Sequence, residues 1–491
     1  MDIRLGEHEA DARERAAVDD VLGPPVSELT DVGTEVGWAM LEGRLARGKR
    51  DLVLPALHSV QSRFGWLTPG ALNYISRRLT LPPAELYGVA TFYHLFSLTP
   101  RPQHCIHVCD DIACRIQGGE WLCSDLETSL GSEGSSVPGQ QVAWKRSPCL
   151  GQCERAPAAL LTSAGDTPKM TSRAPAGSGK DLVQELESAP FEADRLGALR
   201  RSVPQFGERD LRLLSRIGRV DPESLDSYRN EGGYRALGRA IEVGESGVIS
   251  EIVASKPLGR GGAAFPTGRK WEAVARATRS PHYVVCNADE SEPGTFKDRI
   301  LMEGDPFAIL EGMTIAAFAT GSALGYLYIR GEYPLAAHRM TLAIQAARGA
   351  GLLGPNILGR GLNFDVEVRR GAGTYGCGEE TALFNSIEGR RGEPRNKPPF
   401  PVDVGLFGKP TLVNNVETLS NVPWIVMEGA SAFAGVGTTE SSGTRLFCVS
   451  GHVTSPGLYE VPFGRSLGDV IEMAGGVRGG KGLRAVLLGG R

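Results

Sequence analysis

Cys109-Asp-Asp-Ile-Ala-Cys114, followed further on by Cys149-Leu-Gly-Gln-Cys153, is the stretch that orders the reading of this chain. The first is a C-x4-C pair and the second a C-x3-C pair, so each can wrap a metal from one short loop. Thiolates bind metal only when deprotonated, and tight turns between close cysteines aim backbone N–H groups at the sulfurs and stabilise that charge. Pro148 and Gly151 suit such a turn around the second pair. Zinc would also accept four cysteines, but its usual spacing is C-x2-C, so x4 and x3 lean toward a [2Fe-2S] cluster. Plain buried or paired cysteines are the third alternative. The other five of the nine cysteines read as core residues.

Immediately before and through the first pair, HCIHVCDDI (104–112) alternates like a strand, and 131–141 is a Gly/Ser-rich loop, so a small α/β domain surrounds the cysteines. Upstream, Val53, Leu57, Val60 and Phe64, then Ala71, Leu72, Ile75 and Leu79, recur at helical spacing. Pro82-Pro83 punctuate, and AELYGVATFYHLF (84–96) resumes the pattern, giving a helical region over 31–100. The first thirty residues open on MDIRLGEHEADARERAAVDD, charged and without an apolar core, and read as a disordered, solvated tail. Downstream, 162–180 is small, polar and Pro-containing, and a charged, helix-prone stretch runs on to about 217. That composition predicts an inter-domain linker opening at 162–180, with 191–227 as the connecting segment proper.

From Tyr228 to about residue 430 the sequence is Gly-rich, and apolar runs such as HYVVCN (282–287) and ALGYLYIR (323–330) alternate with helical stretches such as 334–351. Such runs predict buried parallel strands with crossover helices. Over 440–491, TRLFCVSGHVTSPGLYEVPFG (444–464) has strand-turn-strand character and SLGDVIEMAGG (466–476) is a short helix closed by glycine. The terminal AVLLGGR (485–491) reads as a strand and its turn, an ending in mid-element that points to a truncated sequence.

At 491 residues, about three cores are expected. With 41% hydrophobic and 22% charged residues and no apolar run of the ~18 residues a span requires, direct membrane insertion is not expected. A net charge of -4 without a dense Lys/Arg stripe argues against nucleic acid as a partner. An odd number of cysteines and no secretory signal favour a reducing, cytoplasmic setting.

Four further segments carry chemistry. Gly259-Arg-Gly-Gly-Ala-Ala-Phe-Pro-Thr-Gly268 lets backbone amides approach a phosphate, with Arg260 and Lys270 adding charge; a plain turn is the alternative. Asn287-Ala-Asp-Glu-Ser-Glu-Pro-Gly294 follows the run YVVC, at a strand's carboxyl end, where open α/β sheets bind ligands. Carboxylates there can accept from ribose hydroxyls or a flavin ring NH, or simply be solvated. Tyr375-Gly-Cys-Gly-Glu-Glu-Thr381 leads into a helix, where acidic residues could instead only cap. Arg395-Asn-Lys-Pro-Pro-Phe-Pro401 sets a cation beside an exposed aromatic on a rigid loop, or is an ordinary turn, and Pro410 to Thr418 places Asn414 and Asn415 at a helix start, to read a heterocycle edge or to cap.

The segment from Leu54 to Pro100, with VCDDIAC and SPCLGQCERAPA, closely resembles the 24-kDa-type [2Fe-2S] subunit of respiratory complex I. The later motifs, in their order, resemble its 51-kDa-type FMN- and NADH-binding subunit. The same module occurs in NAD-dependent formate dehydrogenases and NAD-reducing hydrogenases, sometimes fused as here. The resemblance implies a multidomain α/β chain: a helical bundle (31–100), a thioredoxin-like [2Fe-2S] domain (101–190), the linker, a Rossmann-like FMN- and NADH-binding domain (228–430), and a ubiquitin-like β-grasp (SLBB) domain (440–491). It implies that Cys109, Cys114, Cys149 and Cys153 hold the cluster. Flavin would lie against Gly259, Arg260, Gly261, Lys270, Asn287, Asp289, Glu290, Gly378, Asn414, Asn415 and Thr418, with Glu379 also in the cofactor site. NAD(H) would contact Phe265, Glu292, Glu380, Lys397 and Phe400.

The activity implied is that of an NADH:acceptor oxidoreductase (diaphorase) module within a larger complex of formate dehydrogenase, hydrogenase or complex I type, working beside other redox subunits that include a catalytic one. A catalytically silent assembly scaffold of the same fold is the alternative. No side chain is expected to act as acid or base in hydride transfer; Glu292 and Glu380 position. Three departures from the family pattern stand out. Ala264 replaces a usual Gly, a small steric change, and Ala273 replaces a usual Phe after Trp271, which would weaken dinucleotide binding. The family's [4Fe-4S] ligands are absent, since only Cys448 follows Cys377.

Overall fold

Two open sheets organise the chain, a computed structural model of which describes residues 8–25, 48–135, 141–187 and 195–489. In the larger, the strand order is β7 (Gly354–Ile357), β8 (Leu362–Arg370), β6 (Ser322–Ile329), β5 (His282–Ala288), β9 (Thr411–Asn415). All neighbours are parallel except the antiparallel edge strand β7. The apolar runs are continuous because both faces of this sheet are covered. Val284, Cys286, Ala288, Leu327 and Ile329 pack in one core with the helix Pro306–Thr320, nearly every residue of which is buried. The alternate residues Val285, Tyr326, Tyr328 and Val413 pack in another with Val53, Leu57, Val60 and Ile75 of the N-terminal helices. The helices Val53–Phe64, Pro69–Arg78 and Pro83–Ala90, expected as a bundle preceding the cysteine domain, are thus the second layer on the larger sheet.

The smaller sheet has order β2 (Val142–Ser147), β1 (His104–Cys109), β3 (Ala159–Ser163), β4 (Lys169–Arg173), with β1 and β2 parallel and the rest antiparallel. Ile106, Val108, Trp144 and Leu161 pack against Leu122 and Leu126 of the helix Glu120–Leu130 and Leu182 of the helix Gly179–Glu187, which is thioredoxin-like. A two-stranded ladder, β10 (Thr444–Val449) with β11 (Gly457–Pro462), and the helix Leu467–Met473 form the last unit. Among the described residues no helix is long and apolar enough to cross a membrane.

Four expectations are corrected. Ala12–Leu22, read as part of a solvated tail, is a helix with an Asp11/Glu14 capping box. It buries Ala17, Val18 and Leu22 along a single face; the charges around that narrow stripe hid it. The tail's residues 1–7 and 26–30 lie outside the described residues. The polar stretch 162–180 holds the end of β3, the turn to β4 in which Ser163 pairs with Lys169, β4 itself and the lead into the helix Gly179–Glu187. Within 191–227, read as linker, Leu199, Val203, Leu213, Leu214, Ile217 and Val220 are buried in the main core. After the helix Arg195–Ser202, the chain turns every few residues up to 224, so no helical or strand period marks the burial there. Finally, of the terminal strand expected over 485–491, residues 485–489 form none and 490–491 lie outside the described residues; the last ladder has only β10 and β11.

Candidate functional site

The carboxyl ends of β5 and β9 lie side by side, pairing Asn287 with Asn415 and Cys286 with Asn414. The loop from Gly259 faces this edge. It is closed by a bridge between Leu258 and Pro266 and by the Gly259 N–H donating to the Phe265 carbonyl at 2.9 Å, and the helix Thr267–Arg276 follows. An added Cβ at Gly261 would come to 3.2 Å from Asn415 Cβ, so glycine permits the approach of loop to strand. Ala264, where the family pattern has Gly, sits at φ 51°, a left-handed conformation that costs an L-residue about 1 kcal/mol. The change is therefore one of backbone strain. Ala264→Gly is expected to stabilise the protein by up to about 1 kcal/mol, measured by urea unfolding.

Beyond this loop, Glu379 caps the helix Glu380–Ile387, its carboxylate accepting from the N–H groups of Thr381 (2.8 Å) and Ala382 (3.0 Å). Against the cost of burial, Lys397 and these donors hold its carboxyl below the usual range. Glu380 accepts from Lys397 at 2.7 Å and from Lys270 at 3.4 Å. Lys270 lies 5.8 Å from the ring centre of Phe265. Phe265 and Phe400 are 46% and 53% exposed, which leaves aromatic faces open beside a charged cluster. Across the cleft, Glu292 accepts from the hydroxyl of the exposed Tyr375, a contact not anticipated from sequence.

Asn287 donates to the Gly378 carbonyl at 2.9 Å, and its own side-chain carbonyl accepts from the Asp289 N–H at 3.2 Å. These bonds tie Gly378 and Asp289 to the carboxyl end of β5. Asp289 Oδ2 has no partner among the described residues, and burial raises the carboxyl to about 7. The unfolded side chain titrates near 4, so the folded state binds the extra proton between about pH 4 and 7. Stability contributed by the protonated form is complete below that window and lost as pH rises through it. Asp289→Asn is expected to flatten this decline in the cofactor-free protein, read by urea unfolding at pH 5 and pH 8.

Several of the residues expected at the cofactor also have partners within the fold. The Arg260 side chain turns from the cleft: it donates to Ser442 O at 2.8 Å, stacks 4.6 Å from Phe463 and lies 3.9 Å from Glu417. Its backbone N–H donates to Thr418 Oγ1 at 2.9 Å, so that hydroxyl is also used internally. The Glu290 carboxylate caps the helix Lys297–Gly304 through the N–H groups of Asp298 and Arg299 and accepts from Tyr333, an inward pull that keeps it from the cleft. Asn414 Oδ1 accepts from the indole of Trp271 at 3.0 Å. Asn415 caps the helix Val416–Ser420 and bonds Lys297 and Asp298, which no motif had marked.

The four cysteines are all buried and unbridged. Cys149 and Cys153 approach to 3.4 Å between sulfurs, and the Gly151 N–H points at Cys149 Sγ at 3.4 Å. S–H contacts from Cys114 and Cys149 push the Cys109 thiol up, whereas those from Cys109 and Cys153 pull Cys149 down. Among the described residues no three His, Cys, Asp or Glu side chains converge as the ligands of one ion. Two close pairs brought together suit a dinuclear cluster, where each iron takes two thiolates. The second pair's loop is seated on the larger domain: Arg330 donates to Cys149 O and Arg299 to Gly151 O and Glu154. Single basic residues in helical or strand contexts gave no signal by which sequence reading could find them.

Comparison with known proteins agrees in order and extent. Family profiles match for a thioredoxin-like [2Fe-2S] ferredoxin over residues 42–176, the Nuo51 FMN-binding domain over 252–424 and an SLBB domain over 446–489. The chain is 36% identical to the alpha subunit of the NAD-reducing hydrogenase HoxS of Cupriavidus necator over 447 residues, 90% of this chain and 72% of that one. It is 51% identical over 280 residues to the F 2 subunit of the NADH-quinone oxidoreductase of Rhizobium meliloti, covering 57% of this chain and 66% of that one. The chain thus spans somewhat under two thirds of the F-type oxidoreductase subunits of that species and, at 65%, of Aquifex aeolicus. A crystal structure of NAD+-reducing [NiFe]-hydrogenase in the air-oxidized state superposes with a TM-score of 0.73 at 33% identity, over 87% of this chain and 70% of that one.

Proposed function

Because the chain belongs to the family of FMN-binding flavoprotein subunits that includes the NAD-reducing hydrogenase α subunit and the F subunits of NADH-quinone oxidoreductase, we propose that it is the NADH:acceptor oxidoreductase module of a larger redox complex. The observation that carries this is the convergence, on one edge of the larger sheet, of a cleft walled by Phe265, Lys270, Glu380 and Lys397 and a four-thiol set docked beside it.

In this reading Cys109, Cys114, Cys149 and Cys153, within 101–190, hold the [2Fe-2S] cluster. Gly259, Gly261, Asn287, Asp289, Gly378 and Asn415, within 228–430, cradle FMN. The unpartnered Asp289 oxygen and the open loop at Gly261 fit such a guest. FMN, when bound, takes electrons as a pair from a nicotinamide and releases them singly to iron-sulfur centres. The chain's own work is to hold and orient. Phe265 and Phe400 offer faces for stacking, Lys270 and Lys397 fix the Glu380 carboxylate, and Tyr375 fixes that of Glu292. Ala273 in place of a bulkier residue makes dinucleotide binding weaker. The partners are a catalytic subunit and other redox subunits of hydrogenase, formate dehydrogenase or complex I type, in the cytoplasm.

Purified complex prepared anaerobically should release flavin, show a [2Fe-2S] EPR signal on reduction and turn over NADH with ferricyanide. A colourless sample with no turnover would mark a scaffold instead. Phe400→Ala is expected to raise KM for NADH about threefold to tenfold with kcat little changed, as loss of a stacking contact predicts.

A further inference from the structure

Arg330 ends the run ALGYLYIR just past the carboxyl end of β6, carries none of the site roles assigned from sequence, and is 3% exposed. Its guanidinium donates through Nη1 to the Glu290 carbonyl, in the loop that bears Asp289 and Glu292, and through Nη2 to the Cys149 carbonyl, in the cysteine loop, both at 2.6 Å. One planar fork therefore joins the loop of the flavin cleft to the loop of the cluster. Nη2 also meets Glu332 Oε1 at 3.0 Å, and the guanidinium lies 5.0 Å from the ring centre of Tyr333. Other groups facing the pair are His94, with Nε2 3.6 Å from Glu332, Glu290, whose carboxylate is bound to Tyr333 and the helix Lys297–Gly304, Asp289, which feels both members, and Arg370, which feels Glu332.

A buried charge in a medium of low dielectric acts strongly on a neighbour whose own charge changes. We propose that the Arg330–Glu332 pair is the element that sets the reduction potential of the cluster and fixes its loop against the flavin-side loop, with Arg330 as a positioning residue. This rests on the reading of the cysteines as cluster ligands. Accepting one electron adds one negative charge to the cluster, with no bond made or broken. The guanidinium bound to the Cys149 carbonyl favours that added charge, and the Glu332 carboxylate tempers it. Arginine is required because a lysine ammonium cannot reach two carbonyls in one plane.

The test is an EPR-monitored redox titration of the [2Fe-2S] signal in the purified holo-complex. Arg330→Met should lower the reduced-to-oxidised ratio at a given potential about tenfold, a shift of ~59 mV for a one-electron couple. Glu332→Gln, of the same shape, should move it in the opposite direction by at least about threefold. Arg330→Lys, which keeps the charge, should restore the ratio to within about threefold of the parent while still loosening the loop, seen as faster proteolysis. A change below about twofold in Arg330→Met and Glu332→Gln, or a shift of both in the same direction, overturns the inference. Should Arg330→Met fail to assemble, the sign of the Glu332→Gln shift decides. Absence of any [2Fe-2S] signal from the parent complex would instead overturn the cysteine assignment itself.

Discussion

Gly151→Ala is expected to unseat the second cysteine pair and remove most of the iron from the protein. Gly151 lies between Cys149 and Cys153 at φ 63°, and an added Cβ would fall 2.1 Å from the Tyr333 hydroxyl and 2.6 Å from its ring. Contacts that short do not exist, so the ring or the loop must move. Tyr333 is 1% exposed and its hydroxyl donates to Glu290 Oε2 at 3.1 Å, which leaves the loop to yield. Its displacement breaks the bonds from Arg299 to Gly151 O and from Arg330 to Cys149 O. Overpacking and left-handed strain together predict a loss of about 2–5 kcal/mol. Iron analysis, EPR and urea unfolding read the outcome. Gly359→Ala, at φ 68° with open space around its Cβ, carries the strain without the clash and should keep its iron. Equal behaviour of the two variants would sink the steric argument.

Arg299→Met is the second large effect. Arg299 is wholly buried between domains, with Nη2 on Glu154 at 2.6 Å, Nη1 on Glu303 at 2.9 Å and Nε on Gly151 O at 2.8 Å. Removing one member of a buried ion network leaves the others charged and unpaired, at a cost of about 3–5 kcal/mol. Glu154 keeps Arg155 and the Ser202 hydroxyl, so Glu303 and the loop carry most of the loss. The sign with pH follows. Burial raises the Glu154 carboxyl and Arg299 is the first charge that pulls it below its usual range, so without Arg299 the folded pKa rises and the penalty grows as pH rises. Urea unfolding at pH 5 and pH 8 should therefore show the larger deficit at pH 8, and adding Glu303→Gln should recover part of it. A deficit that is smaller at pH 8 would contradict the assignment.

Much of the molecule was legible because its signals are local. The runs HYVVCN and ALGYLYIR announced β5 and β6, and the two cysteine pairs announced loops, the second of which brings its sulfurs to 3.4 Å. The glycines from 259 to 262 and the acidic turn after β5 lie at an edge of the sheet, as their residue types predict. What misled was burial without a period: Leu211 to Val220 fill the main core through irregular turns, and Ala17, Val18 and Leu22 form a stripe among charges. Within the site, the family resemblance set Arg260, Glu290 and Thr418 against the flavin, and the structure adds that their polar atoms are bonded within the fold.

By itself the sequence determined the order of the units, the two cysteine pairs and the chemistry open to each motif, since spacing and residue type act over a few positions. Only the tertiary structure decided that the N-terminal helices cover the second face of the larger sheet, and that Arg299 and Arg330 seat the cysteine loop. The physical reason is range. A capping box or a glycine turn is satisfied by its neighbours in the chain, whereas a buried guanidinium finds carbonyls 148 and 181 residues away, and nothing near it records which ones.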